Sequence, residues 1–166
     1  IITADTEEEA ENYLPGLGSI QGVLFDRCDT LTNAANAANL KTFYQERVNT
    51  VAPALIDIDA LYTSDSTMSV NVSTRFNQSF TDADYRIQFV YTEDGVKIDG
   101  EEFPYLMRGS YQAKENCLPA TIEQDKEYIY EDEIPLPKVI KSTDNTTLIV
   151  MLIDGKTGAI VNANTV

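Results

Sequence analysis

Any chemistry in this sequence has to come from carboxylates, tyrosines and two cysteines, because the chain contains no histidine and no tryptophan. Glu101-Glu102 and Glu131-Asp132-Glu133 have the residue types for glycoside hydrolysis, which needs two carboxyls facing one another across the scissile bond. Neighbours on a strand point to opposite faces, so neither run supplies such a pair by itself. Asp57 and Asp59 share a strand face, and Asp82, Asp84, Glu93 and Asp94 are expected to gather at one end of the fold. Calcium takes six to eight oxygens, so a cluster of that kind is a candidate for calcium-dependent adhesion, although no D-x-[DN]-x-[DN]-G loop occurs. The lack of histidine removes the Ser-His-Asp triad, Cys-His pairs and His-ligated zinc. Accordingly no catalytic residue, metal ligand set or cofactor is assigned, and the chain is not expected to be an enzyme.

Cys28 and Cys117 lie far apart, which excludes a CxxC redox motif, and two cysteines are too few for a four-cysteine zinc site. They read either as two buried thiols or as one disulfide, and in an oxidising compartment such a bridge would stabilise by about 3 to 5 kcal/mol. Among the 9 tyrosines, Tyr105, Tyr111, Tyr128 and Tyr130 flank or belong to an irregular stretch. Exposed aromatic rings stack on sugars or protein partners at low entropic cost, which makes Phe103, Tyr105, Arg108 and Tyr111 the candidate binding patch. The competing reading places those rings in the core with hydroxyls at its rim. Asn71, Asn77 and Asn145 open N-x-[ST] sequons, which matter only in a secreted eukaryotic chain.

The whole composition limits what these groups can serve. With 166 residues, 12 Lys+Arg and 27 Asp+Glu, the formal charge is 12 − 27 = −15. That charge opposes binding to nucleic acid, where cations must neutralise phosphates, and to anionic membrane surfaces. A hydrophobic fraction of 43% is enough for a packed core. No window reaches the roughly 18 to 20 apolar residues of a transmembrane helix. Ile1 is followed closely by the acidic run Glu7-Glu8-Glu9 with no basic n-region, so no signal peptide is read in these residues; a start at Ile rather than Met reads as a processed or truncated piece, which leaves room upstream for an export signal, a lipid anchor or a further domain.

The elements that must position these residues change character near Pro53. Before it, Thr6-Glu7-Glu8-Glu9 has the form of a capping box for a helix from Glu7 to Leu14, stopped by Pro15-Gly16. Gly22 to Asp26 reads as a short strand. From Ala34 to Val51, apolar residues Ala37, Leu40, Phe43, Tyr44, Val48 and Val51 recur every three or four positions and predict one helical face. After Pro53 the period is two. Ile56, Ile58, Ala60 and Tyr62 alternate with Asp57, Asp59 and Leu61, and Met68, Val70, Val72, Thr74 and Phe76 alternate with Ser69, Asn71, Ser73 and Arg75. A third strand runs from Tyr85 to Tyr91, with Ile87 and Phe89 inward. Val96 to Asp125 is irregular, and Tyr128 to Ile134 reads as an edge strand broken by Pro135 and Pro137. Thr147 to Ile153 is apolar on both faces, as a central strand is, and Asp154 to Gly158 turns the chain into a last strand, Ala159 to Thr165. The expected fold class is mainly β: an antiparallel, immunoglobulin-like β-sandwich over residues 54–166, preceded by a small α/β segment over residues 1–53.

Pro53-Ala54 through Ile58 and Tyr62, the strand Ser69 to Phe76, Val90 to Gly95, Leu106-Met107-Arg108-Gly109, and Ile149 to Asp154 with Thr157 to Ala163 resemble the C-terminal sandwich of a Bacteroidetes outer-membrane lipoprotein family, typified by a twenty-eight-kilodalton outer membrane protein. Ala10 to Leu17, Gly22 to Arg27 and Ala34 to Val51 are similar to parts of the thioredoxin-like domain that precedes that sandwich in the family. The resemblance implies an exported, envelope-attached protein engaged in adhesion or in binding a protein or glycan at the cell surface, in an oxidising setting for Cys28 and Cys117. With no CxxC, and no proline in Gly18-Ser19-Ile20-Gln21-Gly22, thiol oxidoreductase activity does not carry over. An accessory thiol role for Cys28 is the alternative expectation.

Overall fold

The computed structural model describes residues 3–4, 23–27, 29–31 and 37–166. Its strands are β1 (Thr3–Ala4), β2 (Val23–Phe25), β3 (Asp29–Leu31), β4 (Ala54–Ser64), β5 (Thr67–Phe76), β6 (Tyr85–Glu93), β7 (Val96–Ile98), β8 (Glu101–Phe103), β9 (Leu106–Gln112), β10 (Glu127–Pro135), β11 (Thr146–Asp154) and β12 (Ile160–Thr165). Among the described residues one α-helix, α1 (Ala37–Val48), precedes β4. The strands pair into a five-stranded sheet, β1-β9-β6-β11-β12, and a three-stranded sheet, β10-β5-β4, with small hairpins β2-β3 and β7-β8. Among the described residues every ladder is antiparallel except β1 on β9.

The period-two pattern decides which side chains meet between the sheets. Met68, Val70, Val72, Thr74 and Phe76 on β5 are all buried, joined by Ala54 and Ile56 from β4 and Tyr130 and Ile134 from β10. They pack against Ile87, Phe89, Tyr91, Leu148, Val150 and Leu152 of the larger sheet to form the main core. Phe76 anchors one end, its ring centroid 4.9 Å from Tyr85 and 5.9 Å from Phe80. Along one flank, Asn162 and Asn164 of β12 donate side-chain N–H groups to the carbonyls of Ala54 and Ile56, at 2.6 and 2.7 Å. These amides bridge two strand edges that would otherwise expose unpaired carbonyls.

β11 is central, as its doubly apolar sequence requires, and lies between β6 and β12. Its second face joins Val90, Met107, Met151 and Ile153 in a smaller buried cluster. Residues from before Pro53 attach beside this face. Arg27 donates to the Gln88 side chain at 2.7 Å, the Ile160 N–H donates to the Asp26 carbonyl at 2.7 Å, and Arg47 pairs with Asp26 at 2.7 Å.

Two expectations need correction. The irregular stretch contains β9, which completes the larger sheet beside β6; its strand pattern is hidden by Arg108 and Gly109, neither of which reads as an apolar inward position. In α1 only Leu40, Phe43 and Arg47 are shielded among the described side chains, while Tyr44, Val48 and Val51 are exposed, so half of the anticipated apolar face is solvated. The helix expected from Glu7 to Leu14 lies outside the described residues.

Candidate functional site

Arg108 owes its position to a bulge. Tyr91 pairs with Gly109 and Thr92 with Met107, leaving Arg108 as the extra residue of β9. A bulge re-aims a side chain, and here it turns the guanidinium inward. Its Nε lies 3.1 Å from Oε2 of Glu93, and the two side chains are only 4% and 3% exposed. Arg108 also donates through Nη2 to the carbonyl of Val139. The other oxygen of Glu93 accepts the backbone N–H groups of Lys141 and Ser142, at 2.9 and 2.7 Å. The pair therefore clamps the segment after β10 onto the end of β6 and β9. Gly109 belongs to the same arrangement: a Cβ there would stand 2.8 Å from Cγ of Pro137, so only glycine admits the proline.

This clamp dissolves the expected binding patch of Phe103, Tyr105, Arg108 and Tyr111. Arg108 is buried in an ion pair. Tyr111 is half-buried and faces the core, its ring 6.1 Å from Phe89, with its hydroxyl donating to Oδ2 of Asp132 at 3.4 Å. Phe103 is half-buried in the β7-β8 hairpin. Of the four, Tyr105 alone is exposed, in a left-handed conformation (φ 55°), with its N–H donating to Oδ1 of Asp94 at 2.7 Å.

The acids are likewise dispersed. Asp82 pairs with Lys156 at 2.9 Å and Asp84 with Arg86 at 2.8 Å, next to the start of β6, whereas Glu93 and Asp94 stand at its end. The 9 residues of that strand separate the two groups by roughly 27 to 30 Å. The expected calcium cluster is thus not assembled, and among the described residues no three His, Cys, Asp or Glu side chains converge on a metal position. The Arg86 hydrogen bond and charge hold the Asp84 carboxyl below the usual range, a surface ion pair rather than a ligand. Within Glu131-Asp132-Glu133, the outer two are exposed and Asp132 turns the other way, accepting from Tyr130 at 2.6 Å and from Lys114 at 3.2 Å. These bonds, the one from Tyr130 foremost, lower the Asp132 pKa, while burial and that same bond raise the pKa of Tyr130. Cys117 is a half-buried free thiol whose pKa is raised by burial, the opposite of an activated thiolate. Its candidate disulfide partner, Cys28, lies outside the described residues.

The register of the smaller sheet assembles a surface that sequence reasoning missed. Across β4, β5 and β10 its outward rows are Leu55-Arg75-Glu127, Asp57-Ser73-Ile129, Asp59-Asn71-Glu131 and Leu61-Ser69-Glu133. Leu55, Leu61 and Ile129 are 68%, 70% and 57% exposed. Asn71 donates to Glu131 at 2.8 Å, Ser73 donates to Glu127 at 2.7 Å, and Arg75 stands 3.8 Å from Glu127. Five carboxylates against one guanidinium leave this face at −4, with three large apolar side chains standing among the charges. The outward positions of β4 were readable as Asp57, Asp59 and Leu61; what places Ile129 in the same row as Asp57, across Ser73, is the pairing of β10 with β5 over more than fifty residues of sequence.

HBP35 of Porphyromonas gingivalis superposes on 91% of this chain and 55% of its own, with a TM-score of 0.61 and 11% identity. A domain of the outer membrane lipoprotein Omp28 from Porphyromonas gingivalis covers 70% of this chain and 88% of its own, with a TM-score of 0.40 and 17% identity. Spo0M, a sporulation control protein from Bacillus subtilis, covers 70% of this chain and 48% of its own, with a TM-score of 0.45 and 17% identity. No family model and no curated protein matches the sequence. The likeness to HBP35 is one of fold, and this chain spans about half of that protein's length. The other two superpositions are too loose to carry an argument.

Proposed function

We propose that this chain is a non-catalytic, partner-binding module of an exported cell-envelope protein, with the outward face of β4, β5 and β10 as its binding surface. The observation that carries this reading is the exposure of Leu55, Leu61 and Ile129 on one sheet face between Asp57, Asp59, Glu127, Glu131 and Glu133. Exposed aliphatic side chains contribute affinity when a partner covers them, and the charges interspersed among them set the on-rate and the choice of partner. A face at −4 selects a basic protein. The motif-level resemblance to an outer-membrane lipoprotein family supports the envelope setting, and the likeness to HBP35 of Porphyromonas gingivalis supports the fold. The same resemblance supports an α/β unit over residues 1–53 ahead of a sandwich over residues 54–166.

The test is an affinity capture from solubilised envelope of the source organism, comparing the unmodified chain with Leu55→Ser/Ile129→Ser and with Tyr105→Ala. Basic proteins retained by the unmodified chain and by Tyr105→Ala, but lost at least tenfold with the double variant, support the reading. Equal retention by all three, or loss with Tyr105→Ala alone, refutes it. An accessory thiol function would rest on Cys28, since burial keeps Cys117 protonated. Titration of the denatured, unreduced chain decides it: two thiols exclude the disulfide, and a single fast-reacting thiol in the native protein favours the thiol role.

A further inference from the structure

Although the chain is strongly acidic, three of its cations have no carboxylate or hydrogen-bond partner on their ammonium group among the described residues: Lys41, Lys138 and Lys141. Arg47, Arg75, Arg86, Lys97, Arg108, Lys114, Lys126 and Lys156 are all ion-paired, and Arg27 donates to Gln88. Lys138 and Lys141, three residues apart in the segment after β10, line one cavity of about 390 Å³ between that segment and the β4-β5 turn. Asp65 is the cavity's one carboxylate, so its lining carries a charge of +2 − 1 = +1 inside a chain of −15.

The rest of the lining narrows the ligand. Pro137 and Ile140 give apolar surface, and Ser66, Ser142 and Thr143 give hydroxyls. The volume falls in the range of small-ligand sites. The wall is also fixed in advance. Glu93 holds the N–H groups of Lys141 and Ser142, Arg108 holds the Val139 carbonyl, Tyr62 donates to the Thr143 carbonyl at 3.2 Å, and Pro137 is seated on Gly109. A segment held at this many points has its backbone already ordered, so the cost of binding falls mainly on the two lysine side chains.

We infer that this cavity binds a small carboxylate-bearing saccharide, with Lys138 and Lys141 on the carboxylate, the hydroxyl side chains on the sugar's hydroxyls, and Pro137 and Ile140 against its C–H face. The inference is independent of the sheet-face reading, because none of these residues lies in the four outward rows. Such a carboxylate could be presented by a free acid or by an acidic glycan chain.

Amide and lysine-ammonium NMR shifts of the full chain, followed with galacturonate, an oligogalacturonate, neutral galactose and sodium chloride as probes, test the inference. Expected are saturable shifts confined to residues 65–66 and 136–143 with galacturonate, at least tenfold weaker binding by Lys138→Ala/Lys141→Ala, and no saturable shift with galactose or chloride. Tighter binding of the oligomer identifies a glycan chain as the source, and equal binding identifies the free acid. Both lysines are exposed, so an unchanged melting temperature certifies the variant's fold. Equal response to galactose and galacturonate, shifts spread evenly over Lys41, Lys97 and Lys156, undiminished binding by the double variant, or no shift at all would overturn it.

Discussion

Replacing Arg108 by methionine separates a structural clamp from a binding residue. Methionine keeps much of the side-chain volume but leaves the Glu93 carboxylate, 3% exposed, without its cation. Removing one partner of a buried pair costs about 3 to 5 kcal/mol, because the survivor remains desolvated and uncompensated. Against a total stability of about 5 to 15 kcal/mol that is a large fraction, and at about 2 to 4 °C per kcal/mol it lowers Tm by roughly 6 to 20 °C. Glu93→Gln on the Arg108→Met background should recover part of the loss. The amide removes the stranded charge while its oxygen can still accept from Lys141 and Ser142. Arg75→Met is the control: its pair with Glu127 is 3.8 Å long and about half-exposed on both sides, and exposed pairs contribute about 0 to 1 kcal/mol. Urea unfolding of the four proteins measures all of these. The reasoning fails if Arg108→Met costs less than about 1 kcal/mol or no more than Arg75→Met, or if the second substitution deepens the loss rather than relieving it.

Three further outcomes follow from the same geometry. Burial raises the pKa of Tyr91, and burial with the Asp132 bond raises that of Tyr130, so both bind their protons more tightly folded than unfolded. Their contribution is complete below pH 10 and disappears as pH rises beyond it, so absorbance at 295 nm should show at least two tyrosines ionising only with unfolding; a single transition of all 9 near pH 10 contradicts this. For Asp132 the sign reverses: its lowered pKa gives stability that is present above about pH 4 and is lost as pH falls through the folded value, so Asp132→Asn should flatten acid unfolding between about pH 5 and 2, whereas parallel curves exclude the effect. Gly109→Ala should cost about 1 to 3 kcal/mol by driving a methyl into Pro137, and Pro137→Ala should relieve that cost in the double variant; additive losses by chemical denaturation would contradict the contact.

Much of the sandwich was legible because a half-buried antiparallel strand has a period of two. Met68 to Phe76 alternate without a fault and became β5, and the doubly apolar Thr147 to Ile153 became the central β11. β9 was not legible, since its bulge breaks the alternation at Arg108 and its companion Gly109 has no side chain to read. The same bulge defeated the expected site: a patch of exposed aromatics around an arginine looks identical in sequence to an arginine folded inward against Glu93. The outward face failed to show for another reason. Leu55 and Leu61 are isolated apolar positions on the outward side of β4, and Ile129 comes to share their sheet face only through the pairing of β4 and of β10 with β5. Tyr44, Val48 and Val51 show the converse, a helical stripe that the tertiary structure leaves in solvent. Periodicity predicts which side chains share a face, and only long-range register decides what that face meets.

Carboxyl footprinting tests the central claim most directly. A water-soluble carbodiimide with an amine label would be applied to the purified chain and to isolated envelopes of the source organism, with labelling read residue by residue. Partner binding on the sheet face predicts at least severalfold protection of Asp57, Asp59, Glu131 and Glu133 in the envelope, with Glu101 and Glu102 labelled equally in both. Equal labelling of the four face residues in the two preparations, or protection confined to Glu101 and Glu102 on the β7-β8 hairpin, would contradict it.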